Sequence, residues 1–387
     1  MRRNLIASVA TLGALIVSGC ASPLAQGPAV TGADVRAERN RQLHFAVESY
    51  AQEALRLRAI TWRISRAGLD FCPTIHADWG LKWWRRSDFP SSLRRSAATV
   101  FGVDKGLKIA WVAPNGPAHA ADVREGDRVI AINGRKPETR RRRLAQQIAR
   151  ARDSGRLDLT LQRGGATLER AIAPVTVCAY DLVYENTYDF NAYADGETLY
   201  VTRALVDRMP SDDALAFVIG HELAHNALGH LRSSSVNHTL GALAGATLDV
   251  AVFAMGLPTG GYFKRVGQRL GWNLYSQGFE READYLGAYL AARAGYAPGK
   301  ATGAMEAISL ENPASAVFAR THPTTSERAV RLKAIAEEIA RKTAQGRPLI
   351  PDGLGPKRLR PHPEIDTVPA RAVSPDAGSP DAGAPNA

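Results

Sequence analysis

Two short patterns constrain this chain more than anything else in it. The first is His221-Glu222-Leu223-Ala224-His225, inside the apolar run from Phe217 to His230. The second is Glu280-Arg281-Glu282-Ala283-Asp284, which begins 55 residues past His225. In each pattern the outer residues are four apart, and on a helix that places them on one face. Two imidazoles on one face can hold a single ion, with Glu222 beside them in reach of a water on it. A catalytic centre of this type takes three protein ligands and keeps one position open. Any fold of this chain must therefore bring a third ligand to the histidine helix.

His230 is close in sequence but out of register. The pattern HExxHxxGxxH needs a glycine three residues and a histidine six residues after the second histidine, and Leu228 and Leu231 occupy those positions. His230 is then an orienting or a structural histidine. Glu280 is the better third ligand, and Asp284 can accept the free ring N–H of a ligand histidine and fix its tautomer. At this spacing Glu282 points away from that pair. Ser211 followed by Asp212 and Asp213, just before the apolar run, marks the start of the histidine helix.

The 387 residues suffice for two domains with their own cores. A formal net charge of +11 suits an acidic membrane surface as well as nucleic acid. The densest basic run, Arg140 to Arg143, reads as a solvated helix start with no aromatic interleaving, so no nucleic-acid partner is expected. Residues 1–19 read as a leader, with Arg2 and Arg3 ahead of an apolar stretch from Leu5 to Val17 that is too short to span a bilayer comfortably. Val17-Ser18-Gly19-Cys20 resembles a bacterial lipobox. That resemblance implies cleavage before Cys20 and a lipid anchor on its thiol; an ordinary secretory leader is the alternative. Ala21, where retention at the inner membrane often uses aspartate, favours the outer membrane facing the periplasm, with a soluble periplasmic form as the alternative. Residues 20–35 read as a tether. In an oxidising compartment Cys72 and Cys178 either pair across the module between them or stay two buried thiols.

Leu43, Val47, Tyr50, Ala54, Leu57 and Ile60 recur at helical steps, so 36–95 is expected as a helical segment packed on the catalytic part. Residues 96–174 change character. Leu107 to Val112 alternates like a strand, GDRVIAING reads as a strand closed by an Asn-Gly turn, Arg140 to Arg152 is amphipathic, and GRLDLTLQRGG is a last strand pair. PNGPAHAADVREGDRVIAINGRKP resembles a bacterial PDZ domain of the kind found in periplasmic proteases. The resemblance implies that Phe101-Gly102-Val103 is the loop holding a chain terminus while a peptide ligand adds as a strand. A role as spacer or lid is the alternative. The tail, 346–387, is rich in Pro, Ala and Gly, repeats SPDAG, and is expected to be disordered.

Residues 175–345 read as a helical domain, with NAYADGETLYVTRALV as a strand pair around its Asp-Gly turn. HExxH, then ExxAD, then Thr321-His322-Pro323 ahead of SERAVRL resemble, in that order, the CAAX prenyl protease and HtpX-type metallopeptidases. The resemblance implies an α+β protein: a mainly helical zincin-like domain with a small strand pair or sheet, plus a β-rich PDZ domain. It implies one zinc per chain on His221, His225 and Glu280, with Glu222 as general base. His322 would approach the cleft and stabilise an oxyanion or fill the open position. Arg328 either assists it or pairs with a helix carboxylate, and Asn191 either presents backbone to an extended substrate or holds a turn. The apolar stretch Thr239 to Gly261 is a packed helix or lid, or a second membrane contact. The expected function is a zinc endopeptidase of the cell envelope acting on unfolded or misassembled envelope proteins. The competing one is a PDZ-bearing chaperone or adaptor with gated or weak proteolysis.

Overall fold

The computed structural model describes residues 28–254, 259–311 and 326–354, so Cys20, His322 and the tail beyond 354 lie outside the described residues. The chain divides into two units, Met1–Ala46 and Val47–Ala387. In the first, Thr31 and Asp34 cap the start of helix α1 (Gly32–Ala67), the Asp34 N–H donating to Thr31 Oγ1 at 3.1 Å.

In the second unit the rest of α1 buries two faces. Leu57, Ile60 and Ile64 join the larger, helical core, while Trp62 meets Trp111, Ala113 and Val177 on the side of the β-rich module. One helix thus serves both domains.

The β-rich module comprises β2 (Leu81–Trp84), α2 (Arg94–Phe101), β3 (Leu107–Val112), α3 (Pro117–Ala120), β4 (Arg128–Ile132), α4 (Arg141–Asp153), β5 (Leu157–Arg163) and β6 (Ala166–Ile172). The strands form one antiparallel sheet in the order β2-β3-β4-β5-β6. Alternate residues point inward: Leu107 and Ile109 on β3, and Leu157, Leu159 and Leu161 on β5, are buried against Leu144 and Ala151 of α4. Ahead of the sheet, β1 (Ile75–Asp78) pairs antiparallel with β7 (Val175–Cys178), from Ile75 opposite Cys178 to Asp78 opposite Val175. Cys72 and Cys178 are joined by a disulfide across a Cα–Cα distance of 5.6 Å and 106 residues of sequence. The module therefore hangs on a two-stranded neck whose base is cross-linked. In the chain-entropy model a loop of this size stabilises the fold by about 4–5 kcal/mol.

Two expectations change here. Residues 36–95 are not helical throughout, because 75–78 and 81–84 are strands and the latter belongs to the five-stranded sheet, so the module starts ahead of residue 96. Trp79-Gly80-Leu81-Lys82-Trp83-Trp84 is too short a run for local pattern to assign, and its partner strand lies well downstream. Phe101-Gly102-Val103 is not at a sheet edge either. Gly102 caps α2, the Phe101 carbonyl accepts from Lys108 Nζ at 2.8 Å, and the strand that follows, β3, is paired on both sides. A peptide can add only to an open edge, and β2 presents one: it pairs with β3 alone among the described strands.

The helical domain begins with β8 (Asp181–Glu185), β9 (Ala192–Ala194) and β10 (Thr198–Thr202), in the order β8-β10-β9, with β8 parallel and β9 antiparallel to β10. Helices α5 (Arg203–Arg208), α6 (Asp212–Leu228), α7 (His230–Ala254), α8 (Tyr262–Arg293), α9 (Ala301–Glu311) and α10 (Ser326–Ala344) follow. Helix α6 starts where expected, with Ser211 Oγ accepting from the Ala214 N–H at 3.2 Å. Asp249 near the end of α7 accepts from the N–H groups of Phe263 and Lys264 at the start of α8, at 3.1 and 2.8 Å. No helix among the described residues is long and apolar enough to cross a membrane. The domain also runs past residue 345: Lys342 is buried and bonds the Ile350 carbonyl and Asp352, so residues 346–354 pack on it instead of joining a tail.

Candidate metal centre

Helices α6 and α8 cross glycine on glycine. A Cβ on Gly220 would lie 2.7 Å from the Gly287 carbonyl oxygen, and one on Gly287 would lie 2.7 Å from the His221 nitrogen. No other residue permits that approach. On α8, Glu280, Asp284 and Gly287 share a face, so the contact that seats Gly287 against His221 also carries both carboxylates over the histidines. These two glycines set the site although neither belongs to the ligand pattern. Their signal was present: one directly precedes the first ligand histidine, the other lies seven residues past the ligand glutamate.

His221 Nε2 and His225 Nε2 are 3.0 Å apart. Glu280 closes the triangle, with Oε2 3.4 Å from His221 Nε2 and Oε1 3.2 Å from His225 Nε2. Ligand atoms at roughly 2.0–2.2 Å from a tetrahedral zinc lie roughly 3.3–3.6 Å from one another, so the triangle needs little adjustment to fit. The other ring nitrogens are engaged behind it. His221 Nδ1 lies 3.0 Å from Asp284 Oδ1, and His225 Nδ1 lies 2.9 Å from His230 Nδ1. Both Nε2 atoms therefore turn, with the carboxylate, toward one point.

The charges agree. Glu222, Glu280 and Asp284 are buried, as is one cation, Arg328. Arg328 forks onto Asp284 through Nε and Nη2, both at 2.7 Å, and its Nη1 is 2.8 Å from Glu280 Oε2. Among the described residues, three buried carboxylates thus gather around one guanidinium, a setting that favours a cation. Burying such an excess is costly unless something neutralises it. The same pull shows on His221. Burial opposes its protonation, yet Asp284 and Glu280 outweigh burial and push the imidazole up to about 10. Burial would raise the Asp284 carboxyl, but Arg328 and His221 hold it below the usual range.

The expected ligands and Asp284 come together here, and His230 takes an orienting place beside His225. Arg328 pairs with the helix carboxylates Asp284 and Glu280, the second of its two readings. Asn191 does not offer its backbone: its N–H donates to Thr202 Oγ1 at 3.0 Å, and its carbonyl accepts from the Thr202 N–H and hydroxyl at 3.1 and 2.8 Å. It fastens the start of β9 to β10. His322 lies outside the described residues.

A histidine helix crossed by a helix that adds a glutamate brings together three groups that can hold one metal ion. Residues 165–336 match the model of Peptidase family M48, and residues 108–163 match a PDZ domain. Solved structures similar to the chain include the HtrA3 PDZ domain bound to a phage-derived ligand, at 24% identity over 27% of this chain and 89% of that one, TM-score 0.20. Another is the HtrA-type protease AlgW with a decapeptide, at 21% identity over 26% of this chain and 30% of that one, TM-score 0.21. No curated protein matches the sequence.

Proposed function

We propose that this chain is a zinc endopeptidase of the bacterial cell envelope, similar to the CAAX prenyl protease and HtpX-type enzymes. It would be tethered through Cys20 to the periplasmic face of the outer membrane and would cleave unfolded or misassembled envelope proteins. The observation that carries the catalytic part is the convergence of His221, His225 and Glu280 within 4.8 Å of one another, with Glu222 on the same helix. Zinc, when bound, acidifies water and polarises the scissile carbonyl. Glu222 takes the proton of the attacking water and delivers it to the leaving amine as the C–N bond breaks. Arg328 holds Glu280 and Asp284 in place throughout. An extended substrate adds its backbone to the outer edge of β9, the strand of its sheet farthest from β8. A need for extended backbone selects unfolded chains. The open edge of β2 gives the PDZ domain a second strand-like peptide contact, and the lipobox and leader support the envelope location.

The test is cleavage of casein by the full chain with and without zinc, beside Glu222→Gln. The proposal expects zinc-dependent cleavage that falls by about 10²–10⁴-fold in the variant while zinc content stays the same. A zinc-loaded wild-type protein that cleaves no unfolded substrate defeats it and favours the chaperone or adaptor.

A further inference from the structure

The two ligand histidines are backed in different ways. Behind His221 stands a carboxylate, Asp284, at 3.0 Å. Behind His225 stands another imidazole: His225 Nδ1 is 2.9 Å from His230 Nδ1, and His230 Nε2 is 3.1 Å from Glu282 Oε2. His230 is buried, its ring stacked on Phe279 with centroids 4.5 Å apart and planes 17° from parallel, whereas the Glu282 side chain is 47% exposed.

This contact depends on a break in the helix. Five residues along a continuous helix is roughly 140° around from the starting face, so His230 would point away from His225. Instead α6 ends at Leu228, Gly229 takes the left-handed φ of 72°, and His230 opens α7 with its ring turned back.

Hydrogen positions follow in order. His225 meets the metal through Nε2, so its hydrogen sits on Nδ1 and must be donated to His230 Nδ1. That nitrogen accepts, which leaves the hydrogen of His230 on Nε2, facing Glu282. We propose that His230 and Glu282 are positioning residues: they lock His225 in the tautomer and ring orientation that bind the metal, as Asp284 does for His221. The proposal rests on the metal centre described above and extends it to a support that reaches the protein surface.

The experiment measures zinc affinity of the full chain by chelator competition, and the His225 tautomer by long-range ¹⁵N–¹H NMR of the zinc-loaded protein. His230→Phe keeps the stack on Phe279 and removes the acceptor, His230→Asn restores an acceptor near the Nδ1 position, and Glu282→Ala removes the last link from a half-exposed site. Zinc affinity is expected to fall by about 10–100-fold in His230→Phe, to recover most of that loss in His230→Asn, and to fall less in Glu282→Ala. A folded His230→Phe with affinity within about twofold of wild type overturns the proposal. If that variant does not fold, Glu282→Ala with unchanged affinity and unchanged His225 signals overturns it. Neither readout uses a substrate. A protein that binds zinc but cleaves nothing therefore defeats the proposed activity and leaves this inference standing.

Discussion

Arg163 at the end of β5 and Arg328 on α10 make the same clamp in two settings. Each sends Nε and Nη2 to one aspartate at 2.7 Å, Asp127 for Arg163 and Asp284 for Arg328. Each turns Nη1 to a second carboxylate, Asp122 at 3.1 Å and Glu280 at 2.8 Å. In the PDZ domain, Asp122 also takes Arg124 at 2.8 Å and Arg170 at 2.7 Å. Three guanidiniums there meet two carboxylates, and water solvates the surplus. In the candidate metal centre the Arg328 guanidinium meets two carboxylates, Asp284 and Glu280, all three buried, with Glu222 also buried nearby. A clamp whose surplus positive charge water can solvate holds loops together. The same clamp in a helical core, with a further buried carboxylate beside it, favours a cation.

Removing each arginine sharpens that contrast. Arg328→Ala strands buried carboxylates and should destabilise the metal-free protein by about 3–5 kcal/mol. Saturating zinc should restore part of that loss, because it supplies the missing positive charge, and urea unfolding with and without zinc reads both effects. A loss that zinc leaves untouched would break the comparison. Arg163→Ala should cost less, about 1.5–3 kcal/mol. Asp127 keeps the Arg124 N–H at 2.9 Å, and water can reach the site. Zinc affinity in that variant should match wild type by chelator competition; a decline would mean that the PDZ clamp bears on the metal centre.

How far each region could be read in advance follows from the range of its interactions. His221, His225, Glu280 and Asp284 repeat at helical spacing, so local pattern placed them on two faces that had to meet. Strands β3 to β5 carry alternation or turn signals legible without their partners, but GRLDLTLQRGG holds one strand and not a pair, and its partner β6 begins only at Ala166. Strands β1 and β2 were missed because four residues carry little periodicity and their pairing is with segments far along the chain. The contact of His230 with His225 was out of reach as well, since it depends on Gly229 interrupting a helix that the apolar pattern continues. The role of Arg328 stayed open between two readings because both its partners lie on another helix, more than forty residues earlier in sequence.

The glycine crossing gives the smallest effect on stability and the most selective test of the contrast between the two domains. Gly287→Ala adds a methyl 2.7 Å from the His221 nitrogen and 2.8 Å from its Cα, both backbone atoms that no rotamer change can move. Overpacking of this kind costs about 1–3 kcal/mol, while replacing a mid-helix glycine by alanine returns about 1 kcal/mol of helix propensity. The net change in folding stability should be on the order of 1 kcal/mol. The metal centre should feel far more. Glu280 and Asp284 ride on the displaced helix, and a shift of a few tenths of an ångström separates them from two histidines that stay on α6. Zinc affinity should therefore fall well beyond what the stability loss accounts for, while peptide binding at the β2 edge is unchanged. If affinity and stability fall in proportion, the crossing serves packing alone, and the alignment of the two ligand helices has to come from the Arg328 clamp.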